Sequence, residues 1–193
     1  MSGSRPVLLV MDFQHGVVER FSASQVVEAA DRAVKTARAA RIPVIFVRVA
    51  FRPGYPEVAE SNATFSRITA SGGDSYTEDH PATQVHASLA PLEGEPVVIK
   101  RRVSAFTGSD LDVLLRGLGA DTLVLGGIAT SGVVLSTLRQ AADLDYRLTV
   151  LADGCLDADP EVHRVLTDKV YPRQADVLRI AEWTESLAKP AAG

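Results

Sequence analysis

The sequence predicts an α/β fold, a doubly wound and mainly parallel sheet of five to six strands with helices on both faces. Three observations predict it. Short β-rich apolar runs recur along the chain, segments with helical spacing lie between them, and the first of the runs, Val7 to Met11, is apolar at every position. A strand covered on both faces needs such a continuous run, whereas a half-exposed strand alternates.

The run Val7 to Met11 is the first strand and ends at Asp12. Ser24 to Ala40 carries Val26, Val27, Ala30, Val34 and Ala37 at helical spacing, with Ser24 placed to cap it. Pro43 to Val49 is the second strand, so these three segments make a βαβ unit with a right-handed crossover. From Phe51 to about Glu95 the rhythm breaks. Pro53-Gly54, Pro56, Ser71-Gly72-Gly73, Pro81 and Gly94 punctuate a stretch with little periodicity. A long irregular stretch in a compact domain is either a lid or binding loop or a surface insertion.

Pro96 to Lys100 is the third strand, and Ser109 to Leu118 a short helix with Gly119 near its end. Thr122 to Gly127 is the fourth strand, Thr130 to Leu144 a helix, and Leu148 to Ala152 the fifth strand. Pro160 to Tyr171 reads as a helix whose proline sits at a favourable first position. Asp176 to Leu178 is a weak edge strand before a final helix reaching about Leu187. No repeat or linker divides the chain, so residues 1–193 are read as one domain with a lid or insertion at about 51–95. The tail Lys189 to Gly193 is expected to fray.

Composition narrows the function. Apolar residues make up 46% and charged residues 23%, with a net charge of −4. Basic residues are scattered, and the densest cluster is Lys100-Arg101-Arg102. Nucleic acid needs a positive stripe, so it is not an expected partner. No apolar run approaches the roughly 20 residues that span a bilayer, and the first residues show no apolar signal core. With a single cysteine, Cys155, no internal disulfide can form. A cytoplasmic protein is the expectation.

Ligands of doubly wound sheets bind beyond the carboxyl ends of the strands. That rule nominates Asp12, Lys100, the Gly126 to Val133 turn and Asp153. Burial at a strand end would raise the Asp12 carboxyl, while a neighbouring Lys100 would hold it ionised. The blander readings are an aspartate that caps a turn and a lysine on the surface. The turn from Gly126 to Gly132 has glycines for tight geometry and leads into a helix whose first N–H groups are free. It lacks the Gly-Lys-Ser/Thr of a phosphate loop, so an oxyanion or carboxylate site is the functional reading.

Three ordered stretches, Leu8 to Gln14, Val98 to Phe106 and Leu123 to Thr137, resemble the isochorismatase-like (cysteine hydrolase) superfamily, over roughly residues 6 to 180. Leu8-Leu9-Val10-Met11-Asp12-Phe13-Gln14 is similar to its first motif, and Val98-Ile99-Lys100-Arg101-Arg102-Val103-Ser104-Ala105-Phe106 to its lysine motif. Leu123 to Thr137 is similar to its nucleophile motif, and Asp153-Gly154-Cys155 to a further stretch. The resemblance implies Asp12 as general acid/base and Lys100 as its partner. Gln14 and Phe106 are candidate substrate contacts, and His15, three residues beyond Asp12, is a candidate proton relay or substrate hydrogen-bond donor. The resemblance implies a cis peptide at Ile128-Ala129 and an oxyanion site at the N–H groups of Ala129 and Val133. It also places Val133 where relatives carry the catalytic cysteine. Valine has no lone pair and cannot attack a substrate.

Thr130 and Ser131 are read as caps, and Cys155 as a small buried thiol. Metal-binding relatives carry histidines after the second strand, and Phe51 to Ser61 contains none, so neither a metal nor any cofactor is expected. The resemblance further implies a homodimer or homotetramer acting on a small molecule. The functional reading is a cysteine-independent hydrolase of a small carboxylate, vinyl ether or amide. The alternative is a non-catalytic binding or scaffold member of the family.

Overall fold

The computed structural model describes residues 4–188, so the tail expected to fray lies outside the described residues. Six strands, β1 (Pro6–Met11), β2 (Val44–Val49), β3 (Val97–Lys100), β4 (Thr122–Ile128), β5 (Arg147–Leu156) and β6 (Asp176–Leu178), form one sheet. Their order is β3-β2-β1-β4-β5-β6 and every pairing is parallel. The winding reverses between β1 and β4. The chain leaves their carboxyl ends toward opposite edges of the sheet, and a crevice forms at such a point.

Strand periodicity divides the core in two. In β1, Leu8 and Val10 belong to one apolar cluster, and Val7, Leu9 and Met11 to the other. The first face is covered by α2 (Ser24–Ala39) and α7 (Ile180–Ala188), through Val26, Val27, Ala30, Val34, Ile180 and Trp183. The second is covered by α4 (Leu111–Leu118) and α5 (Leu135–Asp143), through Leu111, Leu115, Leu138 and Ala141. Each large side chain so buried contributes about 1.5–3 kcal/mol, which is why apolar runs on both faces dictate this architecture.

Several local expectations shift. Two helices are additional: α1 (His15–Arg20) and α3 (Ala63–Gly72). The first is six residues long, and the second buries only Phe65, so neither carries an apolar stripe. Asn62 starts α3 by accepting the Phe65 N–H at 3.1 Å. Ser24 does not cap α2; Ala23 occupies that position without a side-chain bond. Ser109 does accept the Leu111 N–H (3.2 Å) at the start of α4, and Gly119 ends that helix with φ +63°, a left-handed conformation suited to glycine.

The helix expected from Thr130 begins instead as a wide π-type turn (Thr130–Val134), with Gly132 outside helical geometry. The helix expected over 160–171 is α6 (Pro160–Val165) followed by a second π-type turn (Leu166–Val170). The fifth strand runs on to Leu156, because it resumes pairing with Gly127 and Ile128 after a register shift.

The 51–95 segment is tied to the sheet. Phe51 donates to Tyr76 O (2.9 Å) and accepts from Glu78 N (2.9 Å). The Arg101 guanidinium ion-pairs with Glu57 and Glu78 and donates to Ala50 O. Among the described residues, no helix is long and apolar enough to cross a membrane.

Candidate active site

Asp12 stands one residue beyond β1 with φ +59°, a region that aspartate enters more readily than branched residues. Its N–H still donates to Val47 O at 2.8 Å, so the chain leaves the sheet only after this residue. Lys100 is the last residue of β3, with β2 between it and β1. Two strand spacings are about 10 Å, a gap that a long side chain spans. The ammonium lies 3.0 Å from Asp12 Oδ2 and donates to Arg102 O at 3.1 Å.

Both partners are buried, Asp12 at 6% and Lys100 at 2% exposure. Asp12 Oδ1 has no hydrogen-bond partner among the described residues. Burial lifts the Asp12 carboxyl above the usual carboxylate range, and the Lys100 ammonium, with a smaller contribution from Arg20, pulls it back. A carboxyl with one oxygen anchored and the other free can give or take a proton at the free oxygen.

β4 brings the third component. Gly127 lies opposite Met11, and a Cβ there would meet Met11 O at 2.8 Å, so only glycine permits this approach. The next peptide, Ile128-Ala129, is cis. Ala129 O then accepts from Gly132 N (3.1 Å) and Val134 N (3.3 Å). Val133 is buried in the same apolar cluster as Met11, Val98, Ala105 and Phe106.

Thr130 and Ser131 do not act as caps. The Thr130 hydroxyl lies 2.8 Å from His163 Nδ1, and its carbonyl accepts from the Tyr171 hydroxyl at 2.6 Å. The Ser131 N–H donates to Asp157 Oδ2 at 2.6 Å. Ala129 holds the cap position, without a side-chain bond.

The other sequence candidates separate. Gln14 is buried, and its amide donates to Val49 O (2.8 Å) and Thr83 O (2.9 Å) and accepts from Val49 N (2.8 Å). With both donors taken, it fastens the 83 turn to the end of β2. His15 is exposed on α1, its ring 5.0 Å from that of His86. Phe106 is buried, and the segment before it is held to α5 by the Ala105 N–H donating to Thr137 Oγ1 at 3.0 Å.

Asp153 accepts the Ile180 N–H at 2.8 Å and starts α7. The Cys155 thiol is buried in β5 and pushed up to about 12 by that burial, far from thiolate reactivity at neutral pH. Among the described residues, no group of His, Cys, Asp or Glu is placed to hold a metal ion. Sequence reasoning passed over Arg20, whose charge acts on Asp12, because α1 has no periodic signal.

The isochorismatase domain model matches residues 6–182. The isochorismatase family protein YecD of Escherichia coli O157:H7 is 31% identical over 97% of this chain and 98% of its own length. The ureidoacrylate amidohydrolase RutB of Pseudomonas syringae pv. syringae is 36% identical over 72% of this chain, a match spanning 61% of that longer protein. The crystal structure of N-carbamoylsarcosine amidase from Thermoplasma acidophilum superposes with a TM-score of 0.74 at 28% identity, covering 91% of this chain and 96% of the other. With the domain matched from the first strand to the last helix, this chain belongs to the isochorismatase family.

Proposed function

We propose that this protein is a cysteine-independent hydrolase of a small carboxylate that carries a vinyl ether or amide bond, with Asp12 as general acid/base and Lys100 as its partner. One observation carries the reading: the buried Asp12 carboxyl has Oδ2 on the Lys100 ammonium and Oδ1 unpartnered. Val133 cannot supply an electron pair, so water is the nucleophile. A carboxyl raised by burial holds its proton longer than an exposed one, which favours proton donation.

On a vinyl ether, Asp12 gives its proton to the terminal vinyl carbon. Water adds to the resulting oxocarbenium carbon and loses a proton to the carboxylate, and the hemiketal breaks into a ketone and an alcohol. On an amide, Asp12 takes a proton from water, the oxygen adds to the carbonyl carbon, and the proton passes to the departing nitrogen. Likeness to two amide hydrolases supports keeping the amide arm. On the amide path the backbone N–H groups of Ala129 and Val133 remain the proposed donors to the developing oxyanion, since replacing a side chain does not remove them.

The test is product formation from isochorismate and from a panel of N-carbamoyl acids and simple amides, comparing the wild type with Asp12→Asn. The expected result is turnover of at least one class, reduced by about 10²–10⁴ in the variant, with an unchanged circular dichroism spectrum. Equal rates would remove Asp12 from the mechanism. A wild type inert across the panel would favour a non-catalytic binding protein, for which the close apolar packing around Val133 is the supporting feature.

A further inference from the structure

Charges at the carboxyl edge of the sheet do not balance locally. Asp12 is matched by Lys100, Glu57 by Arg52 and Arg101, and Glu78 by Arg101. Arg20, Arg48 and Arg102 form no ion pair among the described residues, and Arg48 is committed to Glu78 O (2.9 Å) and to Thr83. Arg102 is committed to main-chain carbonyls, donating to Arg101 O (2.6 Å) and Glu57 O (2.9 Å). Among the described residues Arg20 makes one side-chain hydrogen bond, to the Tyr76 hydroxyl at 3.3 Å, and its guanidinium carbon lies 5.2 Å from the Phe21 ring centroid. A guanidinium has five N–H donors in a planar fork, so most of the binding capacity of Arg20 is unspent.

Its place in the fold gives that capacity a use. Arg20 ends α1, the helix that begins three residues after Asp12. Tyr76, at the other end of its hydrogen bond, is fastened to Phe51 just beyond β2, the strand lying between Asp12 and Lys100. The Arg20–Tyr76 bridge therefore joins the β1 and β2 sides of the carboxyl edge on which the catalytic pair lies. Arg20 also acts electrostatically on Asp12, favouring its ionised form.

We infer that Arg20 is a specificity-determining residue that receives a carboxylate group of the substrate, while the bond to be broken lies at the free oxygen of Asp12. The second half rests on the hydrolase reading above; the first half is a statement about binding alone. A guanidinium meets a carboxylate with two parallel hydrogen bonds, so Arg20 distinguishes an anion from its neutral ester. Tyr76 and Phe21 hold the side chain without neutralising it, which suits it to an incoming anion.

The probe is N-carbamoylglycine, which carries a carbamoyl group and one carboxylate, together with its methyl ester. Binding to the full chain is measured by titration calorimetry on the Asp12→Asn background, which stops turnover, with Arg20 retained or replaced as Arg20→Gln or Arg20→Lys. The expected result is that Arg20→Gln weakens binding of the acid by about tenfold or more, that Arg20→Lys restores part of it, and that ester binding is unchanged. Equal affinity for the acid with and without Arg20, the same loss for the ester, or no binding of the acid when Arg20 is present would each overturn the inference. Failure of the hydrolase reading has a different signature: wild-type protein that binds the acid through Arg20 and releases no product from any substrate in the panel.

Discussion

Lys100 reaches Asp12 from two strands away, placing its ammonium 3.0 Å from Oδ2 while Oδ1 is left without a partner. The asymmetry divides the work of the carboxyl. One oxygen fixes its orientation, and the other is available for proton exchange. Removing either residue leaves the other buried beside an empty position, a change that costs more than loss of an exposed pair.

The pair predicts a pH dependence with a definite sign. If Asp12 donates a proton, turnover is full at low pH and falls as pH rises through its elevated pKa; if it serves as a base, the limb is inverted. Proton donation is the expected form. Lys100→Met removes the largest influence lowering that pKa, so the falling limb moves to higher pH. Rate profiles of wild type and variant check both statements, and a limb that does not move would separate Lys100 from the titrating group.

The same shift links stability to pH. The folded-state pKa of Asp12 lies above its unfolded value, so the protonated group is the one the fold favours. Its contribution is full below the unfolded pKa and is lost as pH rises through the folded pKa. Thermal melts across acidic to neutral pH should show a slope in wild type that is reduced in Asp12→Asn, which has no carboxyl to titrate.

Val133 packs in the core and supplies no reacting group. Val133→Ala removes two methyl groups from the cluster with Val98, Ala105 and Phe106. A loss of about 1–3 kcal/mol is expected in denaturant unfolding, with kcat within a few-fold of wild type because the backbone N–H is retained. A loss of turnover comparable to Asp12→Asn would show that the valine side chain shapes the reacting geometry.

Gly127 is required by contact. Gly127→Ala sets a methyl group 2.8 Å from Met11 O, where backbone rather than a flexible side chain must yield. Destabilisation of about 1–3 kcal/mol is expected, together with loss of activity because β1 and β4 separate at Asp12. Unfolding midpoints and activity of the variant measure both effects, and an unperturbed variant would contradict the close approach.

Cys155 supplies a control. Buried, with its thiol pushed up to about 12, it should resist iodoacetamide in the native state at neutral pH and react only after unfolding. Cys155→Ala should retain turnover. Selective loss of activity in that folded variant would return the thiol to the mechanism.

The apolar runs at Val7–Met11 and Val97–Ile99, alternating with helical segments, were sufficient to indicate a doubly wound parallel sheet; the first is buried on both faces, while β3 is an edge strand with Val97 40% exposed. The charged residues ending those runs were legible for the same reason: a carboxylate or ammonium that closes an apolar strand lies where the sheet meets its crevice. Their separation was not legible, because it depends on β2 inserting between β1 and β3 and on the left-handed turn at Asp12.

Other assignments were decided by tertiary contacts alone. Gln14 is a candidate site residue by its place within the first motif, and only the packed chain shows that three bonds to Val49 and Thr83 tie its amide to the backbone. Asp153 looked equivalent to Asp12, and the N-terminus of α7 claimed it. Arg20 carried no sequence signal, since α1 is too short to show a period and Tyr76 lies 56 positions away. Local pattern records which side chains must leave water and at what spacing. Which polar groups are then consumed by neighbours distant in sequence, and which are left free to meet a substrate, is set only when the packed chain assigns every buried donor and acceptor a partner.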